Sequence, residues 1–85
     1  MTYKIEMCVM LKSDVLDPQG KAIQKAAVNM GVKNILEVNQ GKYFKIIIKN
    51  ASSSKHAKEI AIDLSKKLLV NQVIETFVIV STKKV

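Results

Sequence analysis

Between Tyr3 and Leu11 the chain is apolar at every second position. Tyr3, Ile5, Met7, Val9 and Leu11 fall on one side, while Lys4, Glu6, Cys8, Met10 and Lys12 fall on the other. A period of two marks a strand with one face against a core. At the 100° per residue of a helix the same residues would scatter around the axis. A strand cannot stand alone, because it needs neighbours for its backbone hydrogen bonds and a cover for its apolar face. The rest of the 85 residues must supply both.

That length makes one domain spanning residues 1–85, since a second core would not fit. A chain this short buries only about 60% of its unfolded surface and is marginal by itself. Cys8 is the only cysteine and His56 the only histidine, so neither a disulfide within the chain nor a metal cluster is expected as the remedy. Oligomerisation is the remaining common way to add buried area. The first twelve residues alternate with Lys and Glu rather than forming a leader, and no run of about 20 apolar residues is present to span a membrane. With a lone thiol, this places the expected location in a reducing cytoplasm.

Downstream, Asp17-Pro18 predicts a helix start, with a carboxylate at the N-cap and proline at the first helical position. Ala22, Ile23, Ala26, Ala27 and Met30 form its apolar stripe, and Gly31 is the expected left-handed stop. Val32 to Asn50 reads as a hairpin: Ile35, Leu36 and Val38 in the first arm, Tyr43 to Ile48 in the second, and Gln40-Gly41 at the turn with the glycine at positive φ. A serine of the run 52–54 should cap a second helix that buries Ala57, Ile60, Ala61, Leu64 and Leu68 and stops at Asn71. Phe77 to Val80 is a last strand, followed by a polar tail expected to fray. The order β-α-β-β-α-β implies an α+β, ferredoxin-like split βαβ fold. Its four-stranded antiparallel sheet would carry both helices on one face.

The other face of such a sheet should be polar in a free-standing monomer. Instead Cys8, Met10, Ile47, Val78 and Val80 fall on it. Strands apolar on both sides are buried on both sides, and the expected cover is a second copy of the chain.

The residues that carry chemistry are sparse. His56 sits among lysines at a helix start, Cys8 lies mid-strand, and the serines read as a cap. Gly20-Lys21 and Gly41-Lys42 lack the upstream glycine of a phosphate-binding loop. The seven acidic residues are scattered, without metal-ligand spacing. This pattern implies a chain with no catalytic group and no bound cofactor. The net charge of +7 rests on lysines with no arginine cluster, which favours solvated faces over nucleic-acid contacts. Tyr3 and Tyr43 start the two central strands, but Cys8, Met10 and Ile47, the remainder of the open face, cannot stack RNA bases.

Three stretches resemble the PurS family, the small subunits of phosphoribosylformylglycinamidine (FGAM) synthase in purine biosynthesis. They are Val15-Leu16-Asp17-Pro18-Gln19-Gly20-Lys21-Ala22, Gly41-Lys42-Tyr43, and Leu68-Leu69-Val70-Asn71-Gln72-Val73-Ile74-Glu75. The basic Lys83-Lys84 departs from a family end that is often acidic. The resemblance implies a homodimer, sometimes a dimer of dimers, that contacts a PurQ-type glutaminase and a PurL-type synthetase. The synthetase uses ATP and Mg, and the small subunit assists ammonia transfer without a catalytic group. On that reading Asp17, Gln19, Gly20, Lys21, Gly41, Lys42, Asn71 and Glu75 are candidate partner contacts. Gly20 is notable because glycine inside a helix costs about 1 kcal/mol relative to alanine, which a close-approaching backbone or partner would explain. Two other classes stay open on the residues alone: a ligand-sensing module resembling ACT domains, and a basic nucleic-acid binder.

Overall fold

In the computed structural model, which describes all 85 residues, the alternating segment is a strand, β1 (Tyr3–Leu11), at the centre of an antiparallel sheet. Its neighbours are β2 (Gly41–Ile48) and β3 (Glu75–Lys84), in the order β2-β1-β3. Between them run α1 (Pro18–Asn29), α2 (Ser54–Leu64) and a single π-helical turn, Ser65–Leu69. Ile5, Met7 and Val9 are fully buried, as the alternation requires, Ile5 against α2 and Met7 and Val9 in a cluster with Val70 just beyond it. Ala57 and Ala61 are the small side chains of α2 that pack with Tyr3, Ile5 and Ile48. Burial of each large side chain is worth about 1.5–3 kcal/mol, so β1 alone anchors much of the core.

Both helix starts follow their capping residues. Asp17 Oδ1 accepts the Gly20 N–H at 2.9 Å, with Pro18 at the first position. Ser53 Oγ accepts the His56 N–H at 3.1 Å. Gly31 stops α1 with φ +88°; its N–H donates to Val28 C=O and that of Val32 to Ala27 C=O, a Schellman pair.

Four expectations fail. The sheet has three strands, not four: residues 32–40 form no strand, with Asn34 at φ +69°, so the hairpin is absent and the outer edge of β2 is open. Gly41 accordingly has no positive φ. It is needed because a Cβ there would collide with the Val9 carbonyl oxygen and Met10 Sδ. The α1 stripe is not buried either, for α1 packs against no other helix or strand, and Ile23 and Met30 are exposed. Finally, the end of the chain does not fray: β3 continues to Lys84 along β1, and the Val85 N–H donates to Thr2 C=O at 2.9 Å. A bulge opposite Glu6/Met7 absorbs one residue, which keeps the polar end of β3 in register with the start of β1.

The end of the second helix also departs from expectation. Ser65 is fully buried, and its Oγ donates to the Ala61 carbonyl at 2.7 Å, in competition with the backbone. The Val70 N–H then reaches back five residues to Ser65 C=O at 2.9 Å. The wider turn rotates the last residues of the helix about its axis. Leu69 packs on the core beside Val70, while Leu68, expected inside, is 75% exposed.

A substitution pair tests this rotation. Leu69→Ala should cost more than about 1 kcal/mol, whereas Leu68→Ala should stay within about 0.5 kcal/mol. Chemical denaturation of the two variants reads the difference. The reverse ranking would show a regular helix through residue 69.

Candidate functional site

The eight partner-contact candidates come from three separate stretches, and the fold brings them to one end of the sheet. The Asp17 carboxylate is the centre. Oδ1 holds the Gly20 N–H, while Oδ2 accepts the Gln40 N–H at 2.9 Å, joining segments 23 residues apart. The Gln40 side-chain amide donates to Gln19 Oε1 across the same gap. Beside them, Lys42 Nζ lies 3.3 Å from Glu75 Oε2, and Glu75 Oε1 accepts the Asn71 N–H at 2.8 Å. Asn71 Oδ1 accepts the Val73 N–H at 3.1 Å, which turns the chain into β3.

Asp17, Gln19, Gly41, Lys42 and Glu75 line one shallow cavity of about 280 Å³, floored by Val9 and Leu11. Lys21 lines a neighbouring cleft of about 470 Å³ with Asp14, Gln24 and Glu37, and Asp17 forms the wall between the two. Gly20 is buried, and a Cβ there would strike the Val38 carbonyl oxygen. The unfavourable glycine is thus accounted for inside the chain itself.

The apolar candidates form a second surface. Cys8, Met10, Ile47, Val78 and Val80 all lie on the sheet face that α2 leaves uncovered. Ile47 is 56% and Val78 63% exposed, while Cys8 is half-buried between Tyr43 and Val78. Tyr43, absent from the apolar candidates, belongs to this face by the same alternation as Ile47. Its hydroxyl donates to the Glu6 carboxylate. Gln40 is likewise absent from the polar candidates, because a bridge to Asp17 over 23 residues leaves no local spacing signal.

Catalytic geometry does not arise. The sheet separates Cys8, on the open face, from His56, which belongs to α2 on the other side. His56 Nδ1 accepts the Ser52 N–H at 3.0 Å. No three side chains of His, Cys, Asp or Glu come together. No helix is long and apolar enough to cross a membrane. What the arrangement offers is surface: a polar elbow and an apolar sheet face.

The hydrogen bonds at the elbow set the titration of its acids. The Gln40 N–H, then that of Gly20, hold Asp17 below its ordinary 3.8. The Asn71 N–H, then Lys42, hold Glu75 below its ordinary 4.5. On the open face the Tyr43 hydroxyl, assisted by Lys4, lowers Glu6, and Glu6 in turn raises Tyr43. A carboxylate with a depressed folded pKa stabilises the fold above its unfolded pKa, and that contribution is lost as pH falls through the folded value. The raised tyrosine behaves oppositely: its contribution is present below its ordinary 10.0 and lost as pH climbs through the folded value. The elbow should therefore be unchanged across neutrality. In an NMR titration the Gly20 and Gln40 amide shifts should move together, only below about pH 4. A midpoint near neutrality, or separate midpoints for the two amides, would contradict this.

Known proteins share both the sequence pattern and this outline. The profile of the family described as "PurS: Phosphoribosylformylglycinamidine (FGAM) synthase" matches residues 4–83. A relative from Bacillus subtilis, the phosphoribosylformylglycinamidine synthase subunit PurS, is 37% identical over 75 residues, covering 88% of this chain and 87% of its own. The crystal structure of Methanocaldococcus jannaschii PurS superposes with a TM-score of 0.87 at 35% identity over 98% of both chains. A chain in the structure of PurLQS from Thermotoga maritima shares the fold, with a TM-score of 0.84 at 24% identity over 100% of this chain and 99% of that one.

Proposed function

The chain belongs to the PurS family of FGAM synthase subunits, and on that premise we propose that it is the non-catalytic adaptor of the synthase in purine biosynthesis. In this reading it bridges a PurL-type synthetase and a PurQ-type glutaminase and assists the passage of ammonia between them. ATP and Mg are used by the synthetase, and this chain holds no cofactor. It works in the cytoplasm, and neither nucleic acid nor a membrane has a part. Ammonia released into neutral water is largely protonated and loses its nucleophilic lone pair, so a closed and partly apolar path favours transfer. An adaptor that aligns two active sites contributes by positioning alone.

One observation carries the reading: the chain leaves an apolar sheet face, an open β2 edge and an unpacked α1 uncovered. A compact chain of this length has a radius of gyration of about 12 Å. Here it is 16.4 Å, with extents of 51 × 27 × 14 Å. The excess is an arm made of α1 and residues 32–40, which stands off the sheet. A second copy is the occupant that fits. Its residues 32–40 would add the missing fourth strand at the open β2 edge, its α1 would find an apolar seat there, and the ferredoxin-like layout would be completed between two chains. The uncovered face bearing Cys8, Met10, Ile47, Val78 and Val80 is then the surface through which such pairs associate further. The exposed polar groups of the elbow, Gln19, Lys21 and Lys42, are left to meet the synthetase or glutaminase.

Two experiments test this. Mixing purified synthetase and glutaminase with and without the chain should show glutamine-dependent FGAM formation only when it is present, with ammonia-dependent formation retained in its absence. Equal glutamine-dependent rates in both mixtures would reject the adaptor. Separately, Ile47→Asp with Val78→Asp should lower the sedimenting mass at micromolar concentration while leaving the far-UV spectrum unchanged. An unaltered mass would remove the open face from the assembly.

A further inference from the structure

The arm is braced internally at three points and joined to the sheet at one neck. The Schellman pair at Gly31 sets the angle between α1 and the returning segment. Gln24 Nε2 then donates to the Leu36 carbonyl at 2.7 Å and to that of Ile35 at 3.3 Å, tying the middle of the helix to the segment that runs back past it. Near the base, Gly20 meets the Val38 carbonyl too closely to admit a Cβ. Below these braces the chain leaves at Asp17-Pro18 and returns at Gln40-Gly41, and nothing else in α1 packs on another element. Gln19 Oε1 accepts the Gln40 side-chain amide across the neck, but only Asp17 binds the main chain of both passages, one carboxylate oxygen to each.

We infer that Asp17 is a latch: by holding the outgoing Gly20 and the returning Gln40 together, it makes the arm a rigid paddle that is delivered to a second copy as one unit. This deepens the proposed pairing of two chains and rests on it. The latch is distinct from the capping of α1, which needs only one oxygen. Asparagine, aspartate and serine cap helices about equally well, so the helix start alone does not call for a carboxylate. The second oxygen is what reaches Gln40, and it accepts a main-chain N–H from a segment that has no strand to pair with. A latched neck removes independent motion of the two passages, so arm docking and arm release each become a single event. Without the latch, only the side-chain bonds of Gln19 and Gln24 tie the returning segment to α1, so its base can peel first and chains should trade partners faster.

Asp17→Asn separates the two roles. It keeps an acceptor for the Gly20 N–H but turns an NH2 toward the Gln40 N–H, donor against donor. Amide hydrogen exchange of the full-length protein, followed by NMR, should show Gln40 exchanging about tenfold faster with Gly20 nearly unchanged. Subunit mixing between donor- and acceptor-labelled populations should accelerate by at least about tenfold. Asp17→Ser, which caps but does not bridge, should repeat both effects and decides the matter if the asparagine variant loses protection throughout β1. Wild-type protection at Gln40 and wild-type mixing rates in the serine variant would overturn the latch. If the wild type sediments as a monomer, the exchanged pair fails instead, and Gln40 protection still reads the latch by itself.

Discussion

The fold depends on β1 being hydrogen-bonded along both edges at once. Its register with β2 runs unbroken from Tyr3↔Ile48 to Met10↔Gly41, and with β3 from Tyr3↔Lys84 to Leu11↔Glu75 around one bulge. Every fully buried large aliphatic side chain is on this strand. Because side chains alternate strictly across it, the sequence that buries Ile5, Met7 and Val9 in the core also commits Cys8 and Met10 to the opposite side. An apolar outer face is therefore built into the same nine residues as the core. In a chain with so little interior, that outer face is a substantial fraction of what can be covered.

How legible this was depends on the range of the interactions. The caps at Asp17 and Ser53 and the stop at Gly31 were readable because each rests on contacts within five residues, and β1 because its period of two is carried by consecutive side chains. So was the phase of β2, where Phe44, Ile46 and Ile48 face the core and Tyr43, Lys45 and Ile47 do not. The π turn was not readable, since it depends on whether the Ser65 hydroxyl bonds back to Ala61, and a buried serine looks like any other serine in a string. Continuation of β3 through Ser81-Thr82-Lys83-Lys84 was missed because polar residues read as fraying; their stability comes from a partner strand at the opposite end of the chain. The fourth strand fails for a more basic reason. Ile35, Leu36 and Val38 have the composition of a strand, but composition does not supply a neighbour to pair with.

The two candidate surfaces fared differently. The apolar set assembled on one face as the alternation demanded, with Tyr43 added. The polar set also came together, but for reasons partly different from those expected: Gly20 and Gly41 serve close backbone approaches within the chain, and Asp17 spends both oxygens on its own main chain. The elbow is thus first a structural joint, in which Gln19 and Lys42 also hold partners within the chain.

The strand order β2-β1-β3 has a consequence for how the polypeptide comes into being. The middle strand emerges from the ribosome before either neighbour, and its second edge is satisfied only when the ten residues of β3 have been made. Through most of synthesis an apolar ribbon waits with open hydrogen-bonding edges, the state most open to wrong pairing. Locally braced helices on either side can form early, but the sheet itself must close in a single late step.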